Sequence, residues 1–158
     1  MSTGLLHSIN VSNGGVPKIA RSAAAVRVRG VEADRQRDPR YHGGPTRAVC
    51  LYSLELIRAL QAEGHAIDVG CIGENFTLTG VPWEQMVPGA KLEVGEVRLE
   101  LTSYAGPCNN LRPYFSAGDF ARVSQKVNPG WSRLYARVLR EGTVQVGDAV
   151  RVQRWRSK

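Results

Sequence analysis

Cys108 lies in Gly106-Pro107-Cys108-Asn109-Asn110, a turn in which proline pins the backbone beside a thiol. A thiolate in such a turn is either a soft ligand for a soft metal centre or a nucleophile. The other two cysteines differ in setting. Cys50 sits in Ala-Val-Cys-Leu-Tyr and reads as a small buried hydrophobe, whereas Cys71 follows Gly70 in a loop. Three further stretches hold more glycine and polar residues than a core requires: Asn13 to Lys18, His42 to Arg47 and Gly73 to Phe76. Glycines beside Lys, His and Arg let backbone amides approach an anion while cations neutralise it. Taken singly, each stretch is also compatible with an ordinary tight turn. His42 suits a base, a metal ligand or an anion contact, and a Cys/His hydrolase pair is conceivable. No hydrolase signature surrounds either residue, and His7 and His65 read as structural or exposed.

The elements that must position these residues are mostly strands. Leu5 to Val11 is a short apolar segment ending in Asn13-Gly14-Gly15, and Val26 and Val28 alternate with arginines. Residues 32–47 are polar and rich in Pro and Gly, a loop of a length that is usually functional or disordered. Ala48 to Tyr52 reads as a buried strand. A helix follows, with Ser53 as cap, Glu55 in the first turn, Leu56, Ile57 and Leu60 on one face, and Gly64 as stop. Leu92 and Val94, Gly95-Glu96, then Val97, Leu99 and Leu101 form a hairpin pattern. Val144 and Val146, Gly147-Asp148, then Val150 and Val152 look like a second. Asp119 to Val127 is a candidate helix. Residues 131–140 have helical spacing yet lead into the last hairpin pattern, which favours a strand.

Composition narrows the function classes. The chain has 158 residues, 42% hydrophobic and 22% charged, with 17 Gly and 8 Pro. That fits one turn-rich, β-rich domain and argues against a disordered tail. No apolar run approaches the roughly 20 residues needed to span a bilayer. The net charge is +7, and 17 of the 21 basic residues are arginine, which favours an anionic partner. The basic residues of 151–158 read as a solvated strand edge. A nucleic-acid-binding barrel ranks low, because aromatics are only 7% and base-stacking platforms need them. Three cysteines without CxxC argue against a disulfide framework and a zinc site of cysteine pairs. The start of the chain lacks signal-peptide character, so cytoplasm is the expected compartment.

In order, the chain reads NGGVPK, HGGPTRAVCLYSLE, GCIGENFTLTG, PGAKLEVGEVRLELT, GPCNNL and YARVLREGTVQVGDAVRV. This series resembles the MOSC domain, named for the C-terminal domain of molybdenum cofactor sulfurase, and within it the small stand-alone bacterial members. The resemblance covers Gly4 to Val152 and implies a single MOSC domain over residues 1–158. It implies a mostly β, barrel-like fold with a few peripheral helices, and a strand for Tyr135 to Leu139.

The resemblance also implies chemistry. Family members are associated with the molybdenum cofactor, a pterin bearing a dithiolene and a phosphate. In those that bind it, the cysteine of the Pro-Cys block ligates molybdenum, and that position here is Cys108. Some relatives reduce N-hydroxylated compounds, and others are discussed as sulfur carriers with a persulfide on the same cysteine. The residue chemistry is compatible: Lys18, with Arg21 and Arg47, suits the phosphate. Glu74, Asn75 and the amides of Gly43 and Gly44 suit the pterin edge, and His42 is a further cofactor-binding candidate. The expected function is reduction of a small N-hydroxylated molecule, and the alternative is a sulfur or cofactor carrier without turnover. Either role requires a separate electron-donor or sulfur-donor protein, since three scattered cysteines cannot hold a four-cysteine cluster. The chain departs from the commoner pattern at Thr46, where many relatives carry Asp after HGGP, and in the Ser-Tyr-Ala-Gly lead-in to Pro107-Cys108.

Overall fold

The structure is a computed structural model that describes residues 2–34 and 44–153. Its elements in chain order are β1 (Ser2–Val11), β2 (Ile19–Arg21), β3 (Ala23–Arg27), β4 (Gly30–Val31), β5 (Val49–Ser53), α1 (Leu54–Ala62), β6 (Phe76–Thr79), β7 (Lys91–Val94), β8 (Val97–Ala105), β9 (Arg133–Arg140), β10 (Gly142–Gln145) and β11 (Ala149–Val152). Short 3-10 turns fill the connections, three of them between Asn109 and Val123. Among the described residues no helix is long and apolar enough to cross a membrane.

Seven strands close a barrel in the order β11-β7-β8-β9-β5-β6-β1, and β1 returns to β11. Closure removes the exposed edges that an open sheet of this size would present. The strand pair β5–β6 is parallel, and α1 lies on the crossover between them. The second half of β1 also carries β2 as a flap, and β10-β3-β4 form a separate small sheet. The barrel interior is filled by one face of each strand, including Leu6, Ile9, Leu51, Leu78, Leu99, Leu101, Leu134 and Val150.

Strand alternation sends the intervening residues to the outer wall. On β5, Val49 and Leu51 enter the barrel core while Cys50 and Tyr52 face outward. On β9, Leu134, Ala136 and Val138 point in, and Arg133 and Tyr135 take the opposite face. A register shift between Leu101 and Ser103 changes the phase of β8. Tyr104 then packs on the barrel core, and Ala105 joins Cys50 and Tyr135 outside.

The capped helix has the expected design. Ser53 Oγ accepts from the Leu56 amide at 3.2 Å, Ile57 and Leu60 are buried, and Gly64 follows the C-cap at φ +98°. Those apolar residues pack against Leu111, Phe115 and Val123, forming a second core outside the barrel.

Two sequence expectations change. Residues 142–145 and 149–152 are strands but not a hairpin with each other: β10 pairs with β3, and β11 pairs with β7 and β1. Other segments capture the intervening turn, since Val146 donates to the Ser22 carbonyl at 3.0 Å and Gly147 to that of Leu6 at 2.8 Å. The candidate helix over Asp119 to Val127 is instead a single 3-10 turn, Phe120–Val123, followed by extended Ser124. Packing of Val123 and Phe120 against the α1 face outweighs the weak local preference for more helix. Residues 133–140 form the strand that the family resemblance implied.

Replacing the helix cap isolates one local term. Ser53→Ala should lower unfolding free energy by about 1 kcal/mol in urea denaturation, with little change in the slope of the transition.

Candidate functional site

A pocket lies on the outer wall of the barrel, where β5, β9 and the end of β8 meet the chain that follows. It encloses about 570 Å³ of atom-free space including its solvent mouth. Its lining includes Lys18, Arg47, Cys50, Asn75, Cys108 and Arg133. Gly15, Val16, Ile72, Gly73, Asn110, Leu111 and Tyr135 complete it. Among the described residues no carboxylate lines it, so the wall is cationic.

Cys108 reaches the pocket because β8 ends at Ala105 and Pro107 redirects the chain. Cys108 is extended, at φ −137° and ψ 176°, and caps the 3-10 turn Asn109–Tyr114. Its thiol is half-buried. The segment after it is held to α1: Arg122 makes a two-bond pair with the Glu63 carboxylate at 2.9 and 2.8 Å, and its guanidinium lies 3.8 Å from the Trp131 ring centre. That pairing pulls the Glu63 carboxyl below its ordinary range. The Ser116 amide donates to His65 Nδ1 at 3.0 Å, a second tie.

Lys18 reaches the pocket from the turn after β1. Its ammonium pairs with Asp34 at 2.6 Å, and the two side chains are 7% and 1% exposed. Asp34 also accepts from the Ser12 amide at 3.0 Å and from Asn75 Nδ2 at 2.8 Å. Asn75 does more structural work. Its Oδ1 accepts from the Cys50 amide at 2.9 Å, Nδ2 also donates to the Asn10 carbonyl at 3.2 Å, and its backbone bonds both Cys50 and Asn10 at 2.7 Å. Gly70 is required beneath this loop: at φ +82° its Cβ would run into the Lys18 carbonyl.

Arg133 forms the pocket floor. It is 6% exposed, donates Nη1 to the Ile72 carbonyl at 2.8 Å and Nη2 to the Ala105 and Gly106 carbonyls at 3.4 and 3.2 Å. Its Nε has no hydrogen-bond partner. Burial pushes the Cys50 thiol up to about 11 and the Tyr135 hydroxyl up to about 12, so both stay protonated near neutrality. Arg47 lies over the Tyr135 ring at 5.7 Å.

Of the residues singled out from sequence, the pocket gathers Lys18, Arg47, Asn75 and Cys108. Arg21 is exposed on β2 and does not line it, nor does exposed Gly44. Glu74 is fully buried behind the wall. His42 and Gly43 lie outside the described residues. Asp34 and Arg133 were not signalled. Strand alternation would place Arg133 on a solvated face, but the Ile72-Gly73 turn and the Ala105-Gly106 end of β8 hold it buried.

The donor set fits a metal that brings most of its own ligands. Among the described residues no group of three His, Cys, Asp or Glu could hold a metal ion. Cys108 therefore offers one soft donor, beside three cations suited to a phosphate.

Comparison with known proteins places the fold in a family. Residues 38–151 match the family model described as MOSC domain. The chain belongs to the MOSC domain family. This MOSC chain is 28% identical to YflK of Bacillus subtilis over 138 residues, 87% of this chain and 62% of that protein. It is 28% identical to YiiM of Escherichia coli over 107 residues, 65% of this chain and 48% of that protein. It thus spans less than two thirds of both relatives. The crystal structure of YiiM from Geobacillus stearothermophilus shares the fold, with a TM-score of 0.73 at 22% identity over 96% of this chain and 75% of that one. Strand β1 lies outside the matched residues yet is needed to close the MOSC barrel.

Removing the carboxylate at the centre of the network should be costly. Asp34→Ala leaves the Lys18 ammonium buried without its partner and should destabilise the fold by about 3–5 kcal/mol in denaturant titration.

Proposed function

We propose that this MOSC chain binds the molybdenum cofactor in the pocket described above, with Cys108 as the protein's ligand to the metal, and reduces small N-hydroxylated compounds. One observation carries the reading. A half-buried thiol shares a cationic pocket with Lys18, Arg47 and Arg133.

When bound, the cofactor supplies two-electron chemistry at its metal. The overall change is R–NHOH plus two electrons and two protons to R–NH2 and water. A separate donor protein provides the electrons, because the chain's three cysteines leave no room for a four-cysteine cluster. The chain's own contribution is binding and orientation. Pro107 and the Asn109–Tyr114 turn fix the direction of the Cys108 thiol. Arg47 and Arg133 meet the phosphate, and Lys18 adds charge while remaining tied to Asp34. Asn75 acts through the scaffold, because its amide is occupied by Cys50, Asn10 and Asp34.

The test is metal analysis after expression in cells able and unable to make the cofactor. Molybdenum should be present only from the former and absent from Cys108→Ala. Arg47→Ala should weaken cofactor retention roughly ten- to hundredfold, the effect of one charge-assisted hydrogen bond. Metal-free wild-type protein from competent cells would overturn the reading. Reduction of an N-hydroxylated base with an artificial donor, lost in Cys108→Ala, should accompany the metal. Sulfur loading on Cys108 without turnover would favour the carrier role instead.

A further inference from the structure

Behind the pocket wall lies a second buried charge that the cofactor reading does not use. Glu74 is 0% exposed and follows Gly73, which lines the pocket. Its Oε2 accepts from the Gly70 amide at 3.1 Å and the Thr77 hydroxyl at 3.0 Å. Its Oε1 has no partner. On the pocket side, Arg133 is buried, and among the described residues it meets only carbonyls and no carboxylate. Its Nε is likewise unpartnered. Arg133 Nη1 lies 4.0 Å from the position a Cβ would take on Gly73 and donates to the Ile72 carbonyl, so the guanidinium sits against the turn that leads directly into Glu74.

A buried guanidinium that no carboxylate contacts directly can take an anion on its free edge. Lys18 does not share this freedom, because Asp34 already neutralises it. We propose that the pocket floor is a proton-linked oxyanion site, in which Arg133 receives the anion's charge and Glu74 takes up a proton as it does so. This deepens the cofactor reading, which places a phosphate in the same pocket.

The linkage follows from charge balance. In the free protein burial opposes ionisation of Glu74, while the Gly70 amide, its own amide, the Thr77 hydroxyl and, least of these, Arg133 favour it. Burial is the larger influence and holds the carboxyl above its ordinary range. An anion on Arg133 cancels the favourable charge and adds a like one. Glu74 then binds its proton at still higher pH. Between the free and bound titration points, anion binding takes up a proton and tightens as pH falls. Cys50 and Tyr52 interact with both Glu74 and Arg133, Cys71 with Glu74, and Tyr135 with Arg133; burial raises both tyrosine hydroxyls, so neither ionises near neutrality. The Cys50 thiol is pushed to about 11 and Cys71 is also raised, so neither ionises near neutrality.

Sulfate is the probe, because it keeps its charge across this pH range and any proton uptake belongs to the protein. Calorimetric titration of cofactor-free protein in buffers of different ionisation enthalpy should show proton uptake on sulfate binding. Affinity should rise by up to about tenfold per unit fall in pH through the window. Infrared difference spectra should show a protonated-carboxyl band growing with sulfate. Glu74→Gln should bind sulfate without the uptake or the band, and Arg133→Gln should lose sulfate binding. Failure of wild type to bind sulfate, binding without proton uptake, or uptake that persists in Glu74→Gln would each overturn the proposal. So would undiminished binding by Arg133→Gln. If Glu74→Gln does not fold, the wild-type proton count and infrared band still decide. Molybdenum analysis does not enter this test, so the cofactor reading and this one fail separately.

Discussion

The side chain of Asn75 holds the pocket wall together. It joins Cys50 on β5 to Asn10 on β1 and to Asp34, and its backbone repeats the first two links. An amide buried this deeply is tolerated only because its donors and acceptor are all used. Two barrel strands and the Lys18–Asp34 pair are therefore registered by one residue. The position of the Lys18 ammonium relative to the Cys50 stretch of the wall follows from that registration, because Asp34 bonds both Asn75 and Lys18.

The site occupies the outside of the barrel. The interior is closed and apolar, with Leu, Val and Ile from all seven strands. What makes a pocket of the outer wall is the chain that leaves β8 and returns at β9. It carries Cys108 at its start, and it is anchored midway by Phe115 and Val123 against α1 and by the Arg122–Glu63 pair. The thiol is thus presented by a segment with its own small core, and the cations by the barrel wall and the turns entering it. The thiol and the cations come from different structural units and meet at their boundary.

Charge is arranged in layers at that boundary. Lys18 is compensated by Asp34, and among the described residues Arg133 is coordinated by carbonyls alone and Glu74 lies behind with one oxygen unsatisfied. Such an arrangement costs stability in the free protein, which is the usual signature of a site built for a charged occupant.

Local signals carried much of this in the sequence. The cap at Ser53, the hairpin at Gly95-Glu96, the Pro-Cys turn and the cationic glycine stretches are all readable from neighbouring residues, because each depends on contacts a few positions apart. The order of those blocks carried the MOSC family as well. Tertiary structure alone decided the partners of β10 and β11, since distant strands compete for the same backbone groups as the apparent hairpin. It alone buried Arg133, whose outward phase on β9 reads as solvent-facing until the Ile72-Gly73 turn and the end of β8 close on it. It also separated Glu74 from the pocket that Asn75 lines, although the two are adjacent in sequence, because the Glu74 carboxylate turns to the Gly70 amide and the Thr77 hydroxyl.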